Sequence, residues 1–165
     1  MEVAQVGIED LLESLRASRR YFLKHLDGLP NDLWTWKPYA ECKNVLETLA
    51  HMRIDDLTAL ESLKTGKEPD YEGYSHTYEE IPNGSERLLE LLARSRQELI
   101  DHLGDQYGGS RLETPICVWG DMKPLAVGVP YYSSEDFYHA GQVAFIRLAA
   151  EPGWNYYKAI YGMEF

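Results

Sequence analysis

Apolar residues recur at three- and four-residue spacing along most of this chain, which is typical of helices with one buried face. Gly28, Gly66 and Gly104 stand at the ends of three such segments, where glycine readily terminates a helix. Asn44 and Ser85 begin two of them and are good capping residues. The pattern predicts four long helices, over residues 6–27, 44–65, 85–104 and 131–150.

The connections between these helices differ in character. Residues 66–82 are polar and aromatic without a clear period, and this length favours either a crossover between the second and third helices or a loop with its own function. Residues 106–120 contain several glycines and a proline and are predicted to be irregular. Pro130 lacks a backbone donor, so we expect a kink there if the fourth helix extends back over residues 124–129. The aromatic tail, residues 154–161, predicts a short final helix.

No internal repeat, low-complexity segment or alternating pattern long enough for a sheet interrupts this order. A chain of 165 residues is long enough to bury a real core, and one domain over residues 1–165 is the simplest division. The fold class predicted is all-α, a four-helix bundle with a long crossover between helices 2 and 3 and a short C-terminal helix.

The net charge of the chain limits the classes of partner that it is expected to bind. A formal net charge of −11 repels phosphate backbones and anionic lipid heads, so we expect neither nucleic acid nor a membrane surface as a partner. The N-terminal segment lacks the pattern of a signal peptide, and no window approaches the roughly 20 apolar residues that span a bilayer. Cys42 and Cys117 are far apart and are expected to be reduced thiols. These features predict a cytoplasmic protein.

Three residues on two helices are candidates for chemistry. His51 projects roughly 160° from the centre of the leucine stripe of the second helix, so it either faces solvent or lines a cleft between helices. Glu135 and His139 are four residues apart and share a face of the fourth helix. They are either an exposed carboxylate–imidazole pair or two metal ligands, because both groups bind Zn²⁺, Fe²⁺, Ni²⁺ and Mn²⁺.

The remaining signals are weaker. His25, His76 and His102 have no partner pattern and are expected to be ordinary surface or loop residues. The chain has no nucleophile elbow, P-loop or dinucleotide fingerprint, which leaves serine hydrolase, nucleoside triphosphatase and Rossmann functions without support.

Three short motifs resemble the DinB/YfiT-like metalloprotein superfamily. They are the linker LP…WTWKP at residues 29–38, NVLETLAHM at residues 44–52 and FYHAGQV at residues 137–143. The resemblance spans nearly the whole chain, in the right order. It implies a four-helix bundle with a three-ligand metal site, built from one histidine of the second helix and an HxxxH segment of the fourth.

Carried over by position, the resemblance implies a divalent metal ion held by His51, Glu135 and His139. Glu135 stands where the family usually has histidine, and an anionic ligand favours a harder ion than three imidazoles would. The identity of the ion stays open among Zn, Ni, Fe and Mn. Asp55 and Asp136 are either acceptors of hydrogen bonds from ligand imidazoles or simply solvated carboxylates, which is the commoner case for such residues.

The resemblance also implies a function. Some relatives transfer low-molecular-weight thiols or isomerise thiol adducts, so the leading hypothesis is a metal-dependent transferase or hydrolase that acts on a small molecule at an open coordination position. The alternative is a non-catalytic stress-response or binding module whose metal site Glu135 has made degenerate. A third hypothesis is a non-haem iron site, since two histidines and one carboxylate also suit Fe²⁺ and O₂. Relatives often pair through helical faces, which implies a homodimer.

Overall fold

The computed structural model describes residues 6–164, and four long helices make up most of them. The helices are α1 (Ile8–Lys24), α2 (Val45–Thr65), α3 (Ser85–Tyr107), α4 (Leu125–Ala150) and the short α5 (Tyr156–Tyr161). The all-α four-helix bundle predicted from the apolar pattern is confirmed, with its short C-terminal helix. In this part of the chain no helix is long and apolar enough to cross a membrane.

Helix α2 has the bounds that the sequence predicts because both of its caps are encoded locally. The Asn44 side chain accepts a hydrogen bond from the Glu47 backbone N–H at 2.8 Å. The Glu47 carboxylate accepts one from the Asn44 N–H at 2.9 Å, which completes a capping box. At the other end Gly66 takes the left-handed conformation, with φ of 67°, and stops the helix.

Two separate apolar clusters fill the interior, and they reveal the direction of each helix. The first cluster contains the beginning of α1 and α4 and the end of α2 and α3, and the second contains the opposite ends. Helices α1 and α4 therefore run in one direction and α2 and α3 in the other. Representative residues are Leu12, Leu63, Leu103 and Val129 in the first cluster and Phe22, Leu49, Leu88 and Val143 in the second.

Because neighbouring helices α2 and α3 run in the same direction, the chain between them has to return along the bundle. This confirms the long crossover. Part of it forms a 3₁₀ helix over Glu72–Asn83 that packs on both α2 and α3, where the sequence showed no clear period. Thr77 is fully buried there, so the crossover is part of the packed structure.

The prediction that residues 106–120 are irregular is confirmed for residues 108–114 and wrong for the rest. Helix α3 continues to Tyr107, and strands β1 (Pro115–Val118) and β2 (Asp121–Pro124) form an antiparallel hairpin. Trp119 and Gly120 turn the chain with φ of 47° and 93°, the positive values that a two-residue hairpin turn requires. Strands of four residues are too short to show an alternating pattern, which is why the sequence did not reveal them.

Helix α4 begins six residues before the segment predicted from periodicity, at Leu125 rather than at residue 131. Its first free N–H groups, on Leu125 and Ala126, donate to the carbonyl oxygens of Thr114 at 2.9 Å and Leu112 at 3.0 Å. The helix continues through Pro130, whose missing donor costs one hydrogen bond of the ladder. The chain that precedes the hairpin therefore caps the helix.

The expectation that His25 lies at the surface is also wrong. Its ring is 1% exposed, and Nδ1 donates to the carbonyl oxygen of Tyr21 at 2.9 Å. Tyr156 of α5 packs over the ring at 5.9 Å between centroids, so the C-terminal helix covers it. His76 is exposed as predicted, and His102 is half-buried.

Between the two apolar clusters all four helices carry buried polar side chains, which we call the polar layer. Its members are Ser18 and Arg19 of α1, Asp56 of α2, Ser95 and Arg96 of α3 and Asp136 of α4, each no more than 7% exposed. Charged groups are almost never buried to this extent unless they are paired. The polar layer interrupts the hydrophobic pattern of every helix at one level of the bundle.

Candidate metal centre

Two pairs of side chains face each other next to the polar layer, one from α2 and one from α4. Helix α2 contributes His51 and Asp55, and α4 contributes Glu135 and His139. Residues four apart lie on one face of a helix, and α2 packs against α4, so each helix presents an imidazole and a carboxylate to the other. All four residues lie where the two apolar clusters leave a gap.

Asp55 and the two histidines form the tightest group. Asp55 Oδ2 lies 3.7 Å from His51 Nε2 and 3.7 Å from His139 Nε2. The two imidazole rings stand nearly perpendicular, with centroids 5.2 Å apart. One ligand atom from each residue lies within 4.8 Å of the others, the arrangement of a group able to hold a metal ion.

Glu135 lies at the rim of this group. Its Oε2 is 3.9 Å from His139 Nε2, and its side chain is 35% exposed, against 19% for Asp55. Of the residues predicted as ligands, His51 and His139 are therefore brought together and Glu135 is next to His139. The prediction from the sequence did not include Asp55 among the ligands. The same four-residue spacing that pairs Glu135 with His139 also pairs Asp55 with His51 and could have identified it.

Gln142 fixes the orientation of the His139 ring. His139 Nδ1 lies 2.7 Å from Gln142 Oε1, so the ring donates from Nδ1, and its neutral tautomer presents the lone pair of Nε2 to Asp55. Asp136 was a candidate for this role and instead belongs to the polar layer. It accepts from Ser18 Oγ at 2.6 Å and Arg19 Nε at 2.8 Å.

Two buried polar atoms at the centre have no hydrogen-bond partner within residues 6–164, namely Asp55 Oδ2 and His139 Nε2. Leaving a buried polar atom unsatisfied costs about 1–3 kcal/mol, and more for a charged group. Both atoms are acceptors that converge on the same space. A cation between them would satisfy both.

The ionisation of the flanking groups follows from burial. Burial lowers the pKa of His51; the nearby charge of Asp55 opposes this effect, while Lys43 and His139 add to it. The ring is thus held in the neutral form that binds metals. Burial also raises the pKa of Glu135, and the charge of Asp55 raises it further.

The arginines of the polar layer do not neutralise the candidate centre. Arg96 Nη2 lies 3.0 Å from Asp56 Oδ1 and 3.1 Å from Asp136 Oδ1, and Arg19 contacts the same two aspartates. Two positive charges are therefore matched by two negative ones. The adjacent carboxylates, Asp55 and Glu135, have only histidine within ion-pair distance in the described part of the chain. Their two charges are what a divalent cation would balance.

The residues present fit such an ion. With bonds of about 2.0–2.2 Å, tetrahedral ligand atoms lie about 3.4 Å apart, close to the 3.7 Å between Asp55 Oδ2 and each imidazole Nε2. Imidazole and carboxylate together suit Zn²⁺, Fe²⁺, Ni²⁺ and Mn²⁺. The buried acceptors, the neutral His51 ring and the uncompensated charge all favour a divalent transition metal here.

The structure is a helical bundle with a group of residues able to hold a metal ion, and comparison with known families identifies its class. A family model described as the DinB superfamily matches residues 14–143, so the chain belongs to the DinB superfamily. The matched span contains His51, Asp55, Glu135 and His139. Among curated proteins, none matches the chain.

Proposed function

We propose that this protein binds a divalent metal ion through His51, Asp55 and His139, with Glu135 completing the set from the rim. The observation that carries the proposal is the pair of buried acceptors, Asp55 Oδ2 and His139 Nε2, which face each other at 3.7 Å without a hydrogen bond to any described residue. An ordinary surface pair would leave both atoms in contact with solvent instead of buried without a partner. Membership of the DinB superfamily supports the same function.

The chain's own residues divide the work of such a site. Gln142 holds the His139 ring, and the polar layer holds the helix segments that carry Asp55 and Glu135. His51 and Glu135 are 33% and 35% exposed, so the side of the centre that they form is open to a small molecule. A bound divalent ion supplies Lewis acidity, which lowers the pKa of a water or a thiol at that open side.

On this basis the protein is a metal-dependent transferase or hydrolase, with a low-molecular-weight thiol as the expected cosubstrate. Two carboxylates beside two imidazoles favour a harder ion such as Fe²⁺ or Mn²⁺ over the ions that three imidazoles prefer. The cytoplasmic location and the homodimer stay predictions.

The first experiment is elemental mass spectrometry of protein purified without a histidine tag. We expect near-stoichiometric metal in the native chain and none in His139→Ala. Asp55→Asn keeps the shape of the side chain but removes its charge and should lower the metal content strongly. His76→Ala, which removes an exposed histidine away from the centre, is the control and should leave the metal content unchanged.

The opposite outcome would identify the non-catalytic alternative. Native protein that carries no metal, and recruits none when Zn²⁺, Mn²⁺ or Fe²⁺ is added at micromolar concentration, would show that the site is degenerate. The protein would then act as a binding module, and the two unsatisfied acceptors would need another explanation.

A further inference from the structure

A cleft separate from the metal centre lies between the segment that precedes α2 and the outer face of α4. Its volume is about 470 Å³, within the range of sites that bind small molecules. It is lined by Pro38, Glu41, Cys42 and Lys43 on one side and by Tyr138, Gly141, Gln142, Phe145 and Ile146 on the other.

The floor of the cleft is apolar and kept open by a glycine. Tyr138 and Phe145 are 63% and 52% exposed, although aromatic side chains of this size are usually covered. Gly141 lies between them on the same face of α4. A Cβ built on it meets no atom within 4 Å, so the absence of a side chain leaves room for a flat apolar group.

The opposite wall supplies charge. Lys43 has no carboxylate within ion-pair distance in the part of the chain that the structure describes, so its ammonium is free to pair with a ligand. Glu41 also borders the cleft and would repel a second negative charge. Lys43 and Glu41 together therefore fit a monoanion better than a polyanion.

We propose that this cleft binds a small molecule with a flat apolar body and one anionic group. The apolar body lies on Tyr138, Gly141 and Phe145, and the anion pairs with Lys43. The inference goes beyond the proposed metal function and does not depend on it, because none of the three candidate ligands His51, Asp55 and His139 lines the cleft. Gln142, which orients His139, does line it, so a ligand here would lie against a residue of the metal centre.

The test uses two fluorescent probes that share a ring system and differ in charge. The probes are 1-anilinonaphthalene-8-sulfonate, which is anionic, and N-phenyl-1-naphthylamine, which is neutral. Both are titrated into the protein as purified, and the increase in fluorescence gives the dissociation constants. We expect both to bind the native chain.

Variants then assign the probes to the cleft. Gly141→Leu places an apolar side chain on the floor at a position where an added Cβ meets no atom within 4 Å, and it should weaken both probes about tenfold or more. Lys43→Gln should weaken the anionic probe several-fold and leave the neutral probe unchanged. Leu148→Ser is the matched control, because it removes an exposed apolar side chain of α4 that does not line the cleft. It should leave the affinity of both probes unchanged.

Cys42 supplies an independent readout of position. It is half-buried and lines the cleft, whereas Cys117 is buried and serves as an internal reference. The rate at which iodoacetamide alkylates Cys42 should fall as the probe saturates the protein, measured by mass spectrometry of the Cys42 peptide. The rate at Cys117 should not change.

Four results would overturn the proposal. Two concern binding of both probes: no loss of affinity in Gly141→Leu, or a loss of affinity in Leu148→Ser. The other two are an affinity for the anionic probe that Lys43→Gln does not change, and an alkylation rate of Cys42 that depends on protein concentration instead of probe concentration. The last result would mean that a second copy covers the cleft. Because no readout involves metal content, this proposal and the metal proposal fail separately.

Discussion

Asp55 Oδ2 and His139 Nε2 face each other at 3.7 Å across the contact between α2 and α4. Gln142 accepts from the opposite nitrogen of the ring, so in the neutral tautomer with its proton on Nδ1 the Nε2 atom is an acceptor, as the carboxylate oxygen is. Two acceptors at this distance repel each other unless a positive charge lies between them. This pair, rather than any single residue, distinguishes the candidate metal centre from a surface cluster of histidine and acidic residues.

Restoring the residue that the family usually has should change the preferred metal. Glu135→His replaces a carboxylate next to His139 by a third imidazole. We expect a shift in preference from Mn²⁺ and Fe²⁺ towards Ni²⁺ and Zn²⁺, since imidazole is the softer ligand. Competition between Mn²⁺ and Zn²⁺, followed by elemental analysis, measures the shift. Glu135→Gln is the control, and an unchanged preference in Glu135→His would place residue 135 outside the ligand set.

The polar layer should be sensitive to loss of a single charge. Asp136→Asn leaves Arg19 and Arg96 to share one carboxylate, and breaking a buried pair costs about 3–5 kcal/mol. Urea denaturation should show a loss of this size in the free energy of unfolding. Lys37→Met removes a half-exposed ion pair with Glu47 and should cost at most about 1 kcal/mol. Equal losses in the two variants would contradict the role of the polar layer.

Buried His25 should make the protein less stable at mildly acidic pH. Burial lowers its pKa below the ordinary value of about 6.5, so the unfolded state takes up a proton more readily than the folded state. Its contribution to stability is therefore present above pH 6.5 and is lost as the pH falls below it. Thermal unfolding at pH 7.5 and 5.5 should show a smaller drop in Tm for His25→Asn than for the native chain.

The matched control for this measurement is His76→Asn, because His76 is exposed. Its drop in Tm between the two pH values should equal that of the native chain. A His25→Asn variant with the native pH dependence would mean that His25 is protonated in the folded protein as easily as in the unfolded one.

Two glycines of α4 should respond in opposite directions to the same substitution. In Gly128→Ala the added Cβ would lie 2.7 Å from Ile116 Cδ1 of the hairpin, and such overpacking costs about 1–3 kcal/mol. In Gly141→Ala it meets nothing within 4 Å, so the higher helix propensity of alanine should add about 1 kcal/mol. Urea denaturation of both variants measures whether the free energy of unfolding falls in Gly128→Ala and rises in Gly141→Ala. A stabilising Gly128→Ala would contradict the contact between hairpin and helix.

The sequence predicted those parts of the fold that are encoded within a few residues of each other. Asn44 and Gly66 cap α2 by local rules, so the bounds of this helix followed from the sequence. The candidate metal centre was predicted only partly, because the distance between Asp55 and His139 depends on how α2 and α4 pack against each other. No pattern within a single helix specifies the relative position of two helices.

The polar layer shows the same limit more clearly. In the sequence, Arg19, Asp56, Arg96 and Asp136 each look like an ordinary polar interruption of an apolar stripe, and their pairing becomes visible only once four helices are assembled. His25 was misplaced for a similar reason, since the side chain that covers it comes from α5.

The polar layer also has a consequence for how the chain folds. Each of the four long helices contributes one charged residue to the polar layer. Any folding intermediate that lacks one helix would therefore bury an arginine or an aspartate without its full set of partners. Partly assembled bundles are thereby disfavoured relative to both the unfolded chain and the complete one. Folding should accordingly be cooperative across the whole bundle, with α4, the last long helix in the chain, required before the other three become stable.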